Sequence, residues 1–294
     1  MTNPLQQIFR RVRAAKSKED VEEFHLTDGY VFSEPSPQNA VDLIPGWNHA
    51  FPPELGIQAG PSYMYEDGRI HWAVEQFGPV SGRRVLELGP LEGSHSMMLE
   101  RLGPDVLDAV EANKMAFLRC LIAKEIFRLQ RAHFHLGDFV KWLERDDPPY
   151  DLIVACGVLY HMEDPLRLLE LLAARADAIY IWTHYFDETA MPPEDLRRVP
   201  FKSQKPPYKE LSHEVEFRGI DIKLHERSYY GAWKKTAYCG GPVNRHYWME
   251  KEDLLAVLGV LGFDDVRVAH DDPQHINGPS FSVFARRTAQ QAER

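Results

Sequence analysis

Cysteine is scarce in this sequence, with three in 294 residues. Cys120, Cys156 and Cys239 share no metal-ligand spacing, and an odd count makes a poor disulfide framework. That argues against a disulfide-stapled scaffold and for a reducing compartment. Long apolar runs are also lacking. The longest, Leu152 to Tyr160, is far short of the roughly 20 residues that span a bilayer. Arg10, Arg11 and Arg13 have no apolar stretch behind them, so no secretory signal is visible. The expectation is a cytoplasmic protein without a membrane partner. Basic charge is short as well: 34 Lys and Arg against 44 Asp and Glu leave a net charge of −10. Polyanion binding usually needs a basic field, so nucleic acid is not the expected partner.

What is present is an ordinary globular composition, 44% hydrophobic and 27% charged. Six Trp, 12 Tyr and 15 Phe could not all be left in water, so the chain is not mainly disordered. Leu5, Ile8, Phe9 and Val12 repeat at helical spacing, and Ser17 with Asp20 resembles a helix cap, so the first 25 residues are expected to be helical. Between Ser33 and Tyr65, six prolines forbid long helices while Trp47, Phe51, Tyr63 and Tyr65 need burial. This is expected to be an irregular cover on a larger body. A short helix is expected over Ile70–Phe77.

From Arg83 the texture changes. Apolar strand candidates at 85–88, 106–110, 132–136, 152–155 and 178–183 alternate with helical stretches at 96–102, 114–129, 140–143 and 165–174. That pattern predicts an α/β fold with a parallel sheet covered by helices on both faces. Residues 185–250 interrupt it with a Pro-rich, aromatic-rich insertion. Two antiparallel strands are expected there, near Ile220–Tyr229 and Thr236–Cys239. A helix over Lys251–Leu261 and strands at 266–270 and 281–285 close the chain. The expected organisation is a helix and irregular cover over 1–78, a main domain over 79–287 with a cap insertion at 185–250, and a polar tail over 288–294.

The stretch Val85-Leu86-Glu87-Leu88-Gly89-Pro90-Leu91-Glu92-Gly93 runs an apolar strand into a glycine turn and a helix. Such a turn lets backbone approach a ligand closely and aims helix N–H groups at it. Glu87 has the wrong charge for a phosphate and the right charge for an ammonium group. Glu111 closes the second strand, where a carboxylate can accept both hydroxyls of a ribose. Gly137-Asp138-Phe139 follows the third, where a carboxylate can accept from an adenine amine while a ring covers the base. A nicotinamide dehydrogenase would need G-x-G-x-x-G, and here the spacing is Gly89-x-x-x-Gly93.

This succession resembles the class I S-adenosylmethionine-dependent methyltransferases, well over about residues 83–183 and more loosely to about 287. The resemblance implies a Rossmann-like sheet of seven strands, mostly parallel, with the last antiparallel. It implies S-adenosylmethionine as cofactor, held by Glu87, Gly89, Pro90, Gly93, Glu111, Ala112, Gly137, Asp138, Phe139, Cys156 and Gly157. Leu91 departs from the pattern by standing where many members have a glycine. Leu159-Tyr160-His161-Met162-Glu163-Asp164-Pro165 is similar to the segment after the family's fourth strand.

Ligands of open α/β sheets bind outside the carboxyl ends of the strands. That rule gathers the loops bearing Tyr160, His161, His184, Tyr185, His270 and His275 at one edge, and Tyr65 in the cover is expected to join them as the substrate pocket. His161 is the first candidate for a base and His184 the second, since histidine suits deprotonation near neutral pH. His270-x-x-x-x-His275 is not a compact ligand spacing, so a metal-free base is favoured over a divalent ion held with Asp271 or Asp272. Aromatic-rich cover and cap segments favour a small-molecule acceptor. A tRNA-modifying relative and a non-catalytic cofactor binder are the alternatives. The sequence gives no oligomeric state.

Overall fold

Each apolar run after Arg83 forms a strand, and each amphipathic stretch between them forms a helix. The computed structural model describes residues 29–203, 205–235 and 238–288. The expected N-terminal helix, the start of the strand expected at Thr236, and all of the tail but Thr288 lie outside the described residues. The cover contributes α1 (Pro37–Asp42), the two-residue strands β1 (His49–Ala50) and β2 (Ser62–Tyr63), and α2 (Gly68–Phe77). The main body follows as β3 (Arg84–Leu88), α3 (Ser94–Glu100), β4 (Val106–Glu111), α4 (Lys114–Phe127), β5 (Ala132–Leu136), α5 (Phe139–Leu143), β6 (Leu152–Cys156), α6 (Pro165–Arg175) and β7 (Ala178–His184). After the insertion come α7 (Lys251–Val260), β11 (Asp265–Asp272) and β12 (Ser280–Arg286).

Seven strands form one sheet in the order β11-β12-β7-β6-β3-β4-β5. The pairs from β7 to β5 are parallel, and β12 runs antiparallel to both its neighbours. The central strands β3 and β6 are buried almost throughout, which is why they read as continuous apolar runs rather than alternating ones. One buried cluster packs α6 and α7 on one sheet face, and a second packs α2 and α3 on the other. The chain leaves β3 toward β4 and β5, then returns to place β6 on the other side of β3. That reversal opens a crevice at the carboxyl ends of β3 and β6. Among the described residues no helix is long and apolar enough to cross a membrane.

The insertion builds a separate antiparallel sheet in the order β10-β9-β8, from β8 (Ser212–Phe217), β9 (Ile220–Ser228) and β10 (Arg245–Met249). Tyr238 and Cys239 are not strand residues; the partners of β9 are β8 and β10. The β8 strand turns Ser212, Glu214 and Glu216 to solvent and half-buries Val215 and Phe217 against the core of the body. Its hairpin turns at Arg218-Gly219, both with positive φ, as a two-residue loop between right-twisted strands requires. Phe186, Met191, Phe201 and Trp248 form a small core under this cap, with Tyr160 packed against it.

The cover is clasped to the body by Glu92, which is fully buried in the turn after β3. Its carboxylate accepts from the backbone N–H groups of Asn48 at 2.8 Å and His49 at 2.7 Å. Arg119 of α4 reaches the same carboxylate at 3.5 Å and donates to the carbonyl of Pro45 at 2.6 Å. Glu92→Ala would strand a buried guanidinium and two backbone donors. It is expected to destabilise the fold by about 3 kcal/mol or more, read as a lower urea midpoint. Amide exchange over residues 45–65 should rise with it. A wild-type midpoint would show that the clasp contributes nothing.

Candidate functional site

A cavity of about 310 Å³ lies at the carboxyl ends of β3, β4 and β6. Its floor is the turn Gly89-Pro90-Leu91, and Gly89 has φ +63°. A Cβ on Gly89 would come within 2.7 Å of the Val158 side chain, so the turn passes as close to the loop after β6 as backbone alone allows. Leu91 takes a left-handed conformation (φ +56°) although it carries a side chain, at a cost of about 1–2 kcal/mol. Its N–H donates to Glu111 at 3.0 Å, which helps hold it there. Leu91 thus takes the backbone region that a glycine would adopt freely.

Glu111 ends β4 and lines the cavity with Ala112 and Asn113. Burial pushes its carboxyl up, while the backbone donors of Asn113, Leu91 and Ala112 draw it down. Asn113 N–H donates to one oxygen at 2.7 Å and Leu91 N–H to the other at 3.0 Å, so the carboxylate is fixed at the cavity edge. Phe139, Cys156, Gly157, Tyr160 and His161 complete the wall expected from the sequence. The roof comes from His49, Met64 and Arg69 of the cover, and from Tyr238 to Pro242 of the cap.

Glu87 is buried and does not line the cavity. It accepts from the Ser96 hydroxyl, and His95 stands between it and the open space, with Nδ1 3.8 Å from its carboxylate. On its other side His95 Nε2 donates to Asp67 at 2.9 Å. Burial opposes charge on His95, but Cys156, Asp67 and Glu87 outweigh it and raise it to about 10. The group facing the cavity here is therefore an imidazolium, where the sequence suggested a carboxylate. Asp67 also caps α2 and holds the Arg69 fork through Nε and Nη2.

A second, wider cavity of about 640 Å³ adjoins the first and shares Arg69, Tyr160 and Trp182 with it. His184, His270, Asp271, Asp272, His275, Asn277 and Ser280 line the rest. The structure thus gathers His184, His270 and His275 with Tyr160, as expected. Other expected residues lie elsewhere. Tyr65 belongs to the core, packed on Phe127 at 4.8 Å and Phe51 at 5.9 Å. Tyr185 packs on Phe281, and its hydroxyl donates to Asp271 at 2.9 Å. Gly137 and Asp138 open onto a separate groove with His135 and Lys141, because the Asp138 carboxylate is turned to accept from Val140 N–H and cap α5. Gly93 caps α3 against the Phe134 ring rather than lining the cavity.

His161 and His184 flank Tyr160 at centroid distances of 4.1 and 4.6 Å. Nδ1 of His184 faces the carbonyls of Gly278 and Pro279 at 2.9 and 3.1 Å, so it must carry the proton, and Nε2 keeps its lone pair. Nδ1 of His161 lies 2.5 Å from the Tyr229 hydroxyl, which also accepts from Gly241 N–H. Burial is the main cause holding both rings neutral, with His184 lowered to about 4 and His161 well below its ordinary value. Among the described residues, no three or more His, Cys, Asp or Glu are grouped to hold a metal ion.

Sequence reasoning missed His95, Arg69 and Trp182. Asp67-Gly68-Arg69 does carry a helix-cap signal, but nothing local shows that its carboxylate reaches across to His95.

No family model matches the chain, and no curated protein sequence does. Solved structures do match. The N-terminal domain of EvdMO1 with S-adenosylhomocysteine bound superposes over 86% of this chain and 95% of that domain, with TM-score 0.61 and 20% identity. The same domain crystallised in the presence of S-adenosylhomocysteine and D-fucose gives TM-score 0.59 over the same shares, at 20% identity. Against the full EvdMO1 chain the match spans 85% of this chain and 46% of that one, at TM-score 0.54 and 19% identity. A structure from Listeria monocytogenes described as an S-adenosylmethionine-dependent methyltransferase matches over 75% of this chain and 98% of its own, with TM-score 0.50 and 11% identity. The strand order, the antiparallel β12 and these superpositions agree: the chain has the fold of the class I S-adenosylmethionine-dependent methyltransferases.

Proposed function

We propose that the chain transfers a methyl group from S-adenosylmethionine to a small-molecule acceptor, with the cofactor in the first cavity and the acceptor in the second. The observation that carries this is Glu111, a carboxylate fixed at the end of β4 beside the Gly89 turn and lining the cavity. Its two oxygens suit a pair of vicinal hydroxyls. Phe139 offers a ring to a flat base, and the His95 imidazolium offers a charge to the carboxylate of an amino-acid end. The cofactor, when bound, supplies a methyl group on a sulfonium sulfur, which needs no protein nucleophile.

The chain's own part is to align the acceptor and exclude water. The wall shared by the two cavities is the natural place for the two ligands to meet. As an acceptor oxygen or nitrogen bonds to the methyl carbon, the carbon–sulfur pair stays on sulfur and the acceptor's proton must leave. Nε2 of His184 has a lone pair and no protein partner among the described residues, so it can take that proton. In this reading Tyr229 donates to Nδ1 of His161, so that His161 presents Nε2–H and holds the acceptor rather than deprotonating it. The first base candidate from the sequence is thus given a positioning role. A roof built from cover and cap favours a small acceptor over a polymer, and the net charge of −10 disfavours tRNA. The EvdMO1 domain crystallised with D-fucose present is in keeping with a small polar acceptor. Three free thiols suit action in the cytoplasm.

S-Adenosylhomocysteine should bind at one site per chain by calorimetry. Glu111→Ala should weaken it by about 1.5–3 kcal/mol, the worth of hydrogen bonds to a charged group; unchanged affinity would remove the ribose assignment. Long-range ¹H–¹⁵N spectra of the histidines should show His184 as the Nδ1–H tautomer and His161 as the Nε2–H tautomer. Finding the reverse would exchange the two roles.

A further inference from the structure

Arg69 is held by its surroundings in one pose with one edge left over. Its Nε and Nη2 are spent on Asp67, at distances of 2.6–3.1 Å. Its guanidinium lies 4.3 Å from the ring centroid of Trp182, which fixes the plane. Nη1 has no protein partner among the described residues and is not among the buried unpartnered atoms, so it opens onto the cavity wall. Nη1 of this permanently charged guanidinium keeps its N–H donors, which suits a charge-assisted contact to one oxygen of a carboxylate.

The other charges of the second cavity are already engaged. Asp271 accepts from Lys251 at 2.7 Å and from the Tyr185 hydroxyl. Asp272 accepts from Gln274 N–H. Arg197, nearby, is spent on Asp195 and on the carbonyls of Ala190, Pro273 and His275. That leaves Arg69 as the charged donor on offer there, whereas His95 lines the first cavity alone.

We propose that Arg69 is a carboxylate-binding group on the shared wall, and that the carboxylate it takes belongs to the acceptor, so the second cavity is built for small carboxylate-bearing molecules. This rests on the methyltransferase reading above. It divides the cations: His95 serves the cofactor's amino-acid end and Arg69 serves the acceptor.

The test uses the full chain loaded with S-adenosylhomocysteine and two matched probe pairs, glucuronate against glucose and hydroxybenzoate against hydroxybenzamide. Calorimetry should show the acid binding about tenfold or more tighter than its neutral partner in at least one pair, as a charge-assisted hydrogen bond gives. Arg69→Gln should abolish that preference while the ratio of S-adenosylhomocysteine to methylthioadenosine affinity keeps its wild-type value. No preference in either pair overturns the proposal, and that comparison needs no variant. A preference that survives in Arg69→Gln also overturns it. If Arg69→Gln weakens S-adenosylhomocysteine but not methylthioadenosine, which lacks the amino-acid end, the carboxylate is the cofactor's and the acceptor assignment fails. Failure of the wild-type chain to bind S-adenosylhomocysteine at all would remove the methyltransferase reading, and this proposal with it.

Discussion

The turn from Gly89 to Gly93 is pinned from two sides by buried carboxylates. Glu111 pulls Leu91 N–H toward the end of β4, and Glu92 reaches outward from the turn to grip the cover at Asn48 and His49. The first bond helps hold a leucine in a left-handed conformation that its side chain disfavours. The second brings the residues that roof the cavity, His49, Met64 and Arg69, against a turn they are far from in sequence. Arg119 ties both ends together, since it touches Glu92 and the carbonyl of Pro45 at once. Floor and roof of the cavity therefore share one attachment.

The central strands were legible because they are buried on both faces, and capped helices separate them. Leu152–Cys156 could be read from its own residues, and Asn113 and Asp164 mark the starts of α4 and α6 in the way such caps do. The β8 strand was missed although it alternates, because only Val215 and Phe217 mark its inward face. Glu111, Phe139 and Gly157 were found by their place at strand ends, a property of topology that sequence order preserves. Glu87 was misplaced for the opposite reason. Whether a strand-end carboxylate meets the cavity depends on what the next helix lays over it, and here α3 lays His95.

Asp138 and Tyr65 make the same point at shorter range. An aspartate before a helix can face a ligand or cap the helix, and the cap needs only its own chain. An aromatic residue in a Pro-rich cover can face a pocket or fill the core, and Tyr65 lies against Phe51 and Phe127, which already form an apolar contact. Asp138 is taken by its own helix, and Tyr65 by rings of the core. The residues that do line the cavities keep something over for a ligand: the Glu111 carboxylate, the Nη1 edge of Arg69, Nε2 of His184.

The buried histidines set limits on the fold that have nothing to do with catalysis. His49, His184 and His225 are each lowered to about 4 and His246 to about 3, in every case chiefly by burial. The unfolded chain would protonate them near their ordinary 6.5, so it binds more protons than the fold, and stability drains away as pH falls below that value. His95 works in the other direction. Raised to about 10, it contributes stability that is complete below 6.5 and is lost as pH climbs through 10. One kind of side chain thus sets opposing slopes, the buried neutral rings against acid and His95 against alkali.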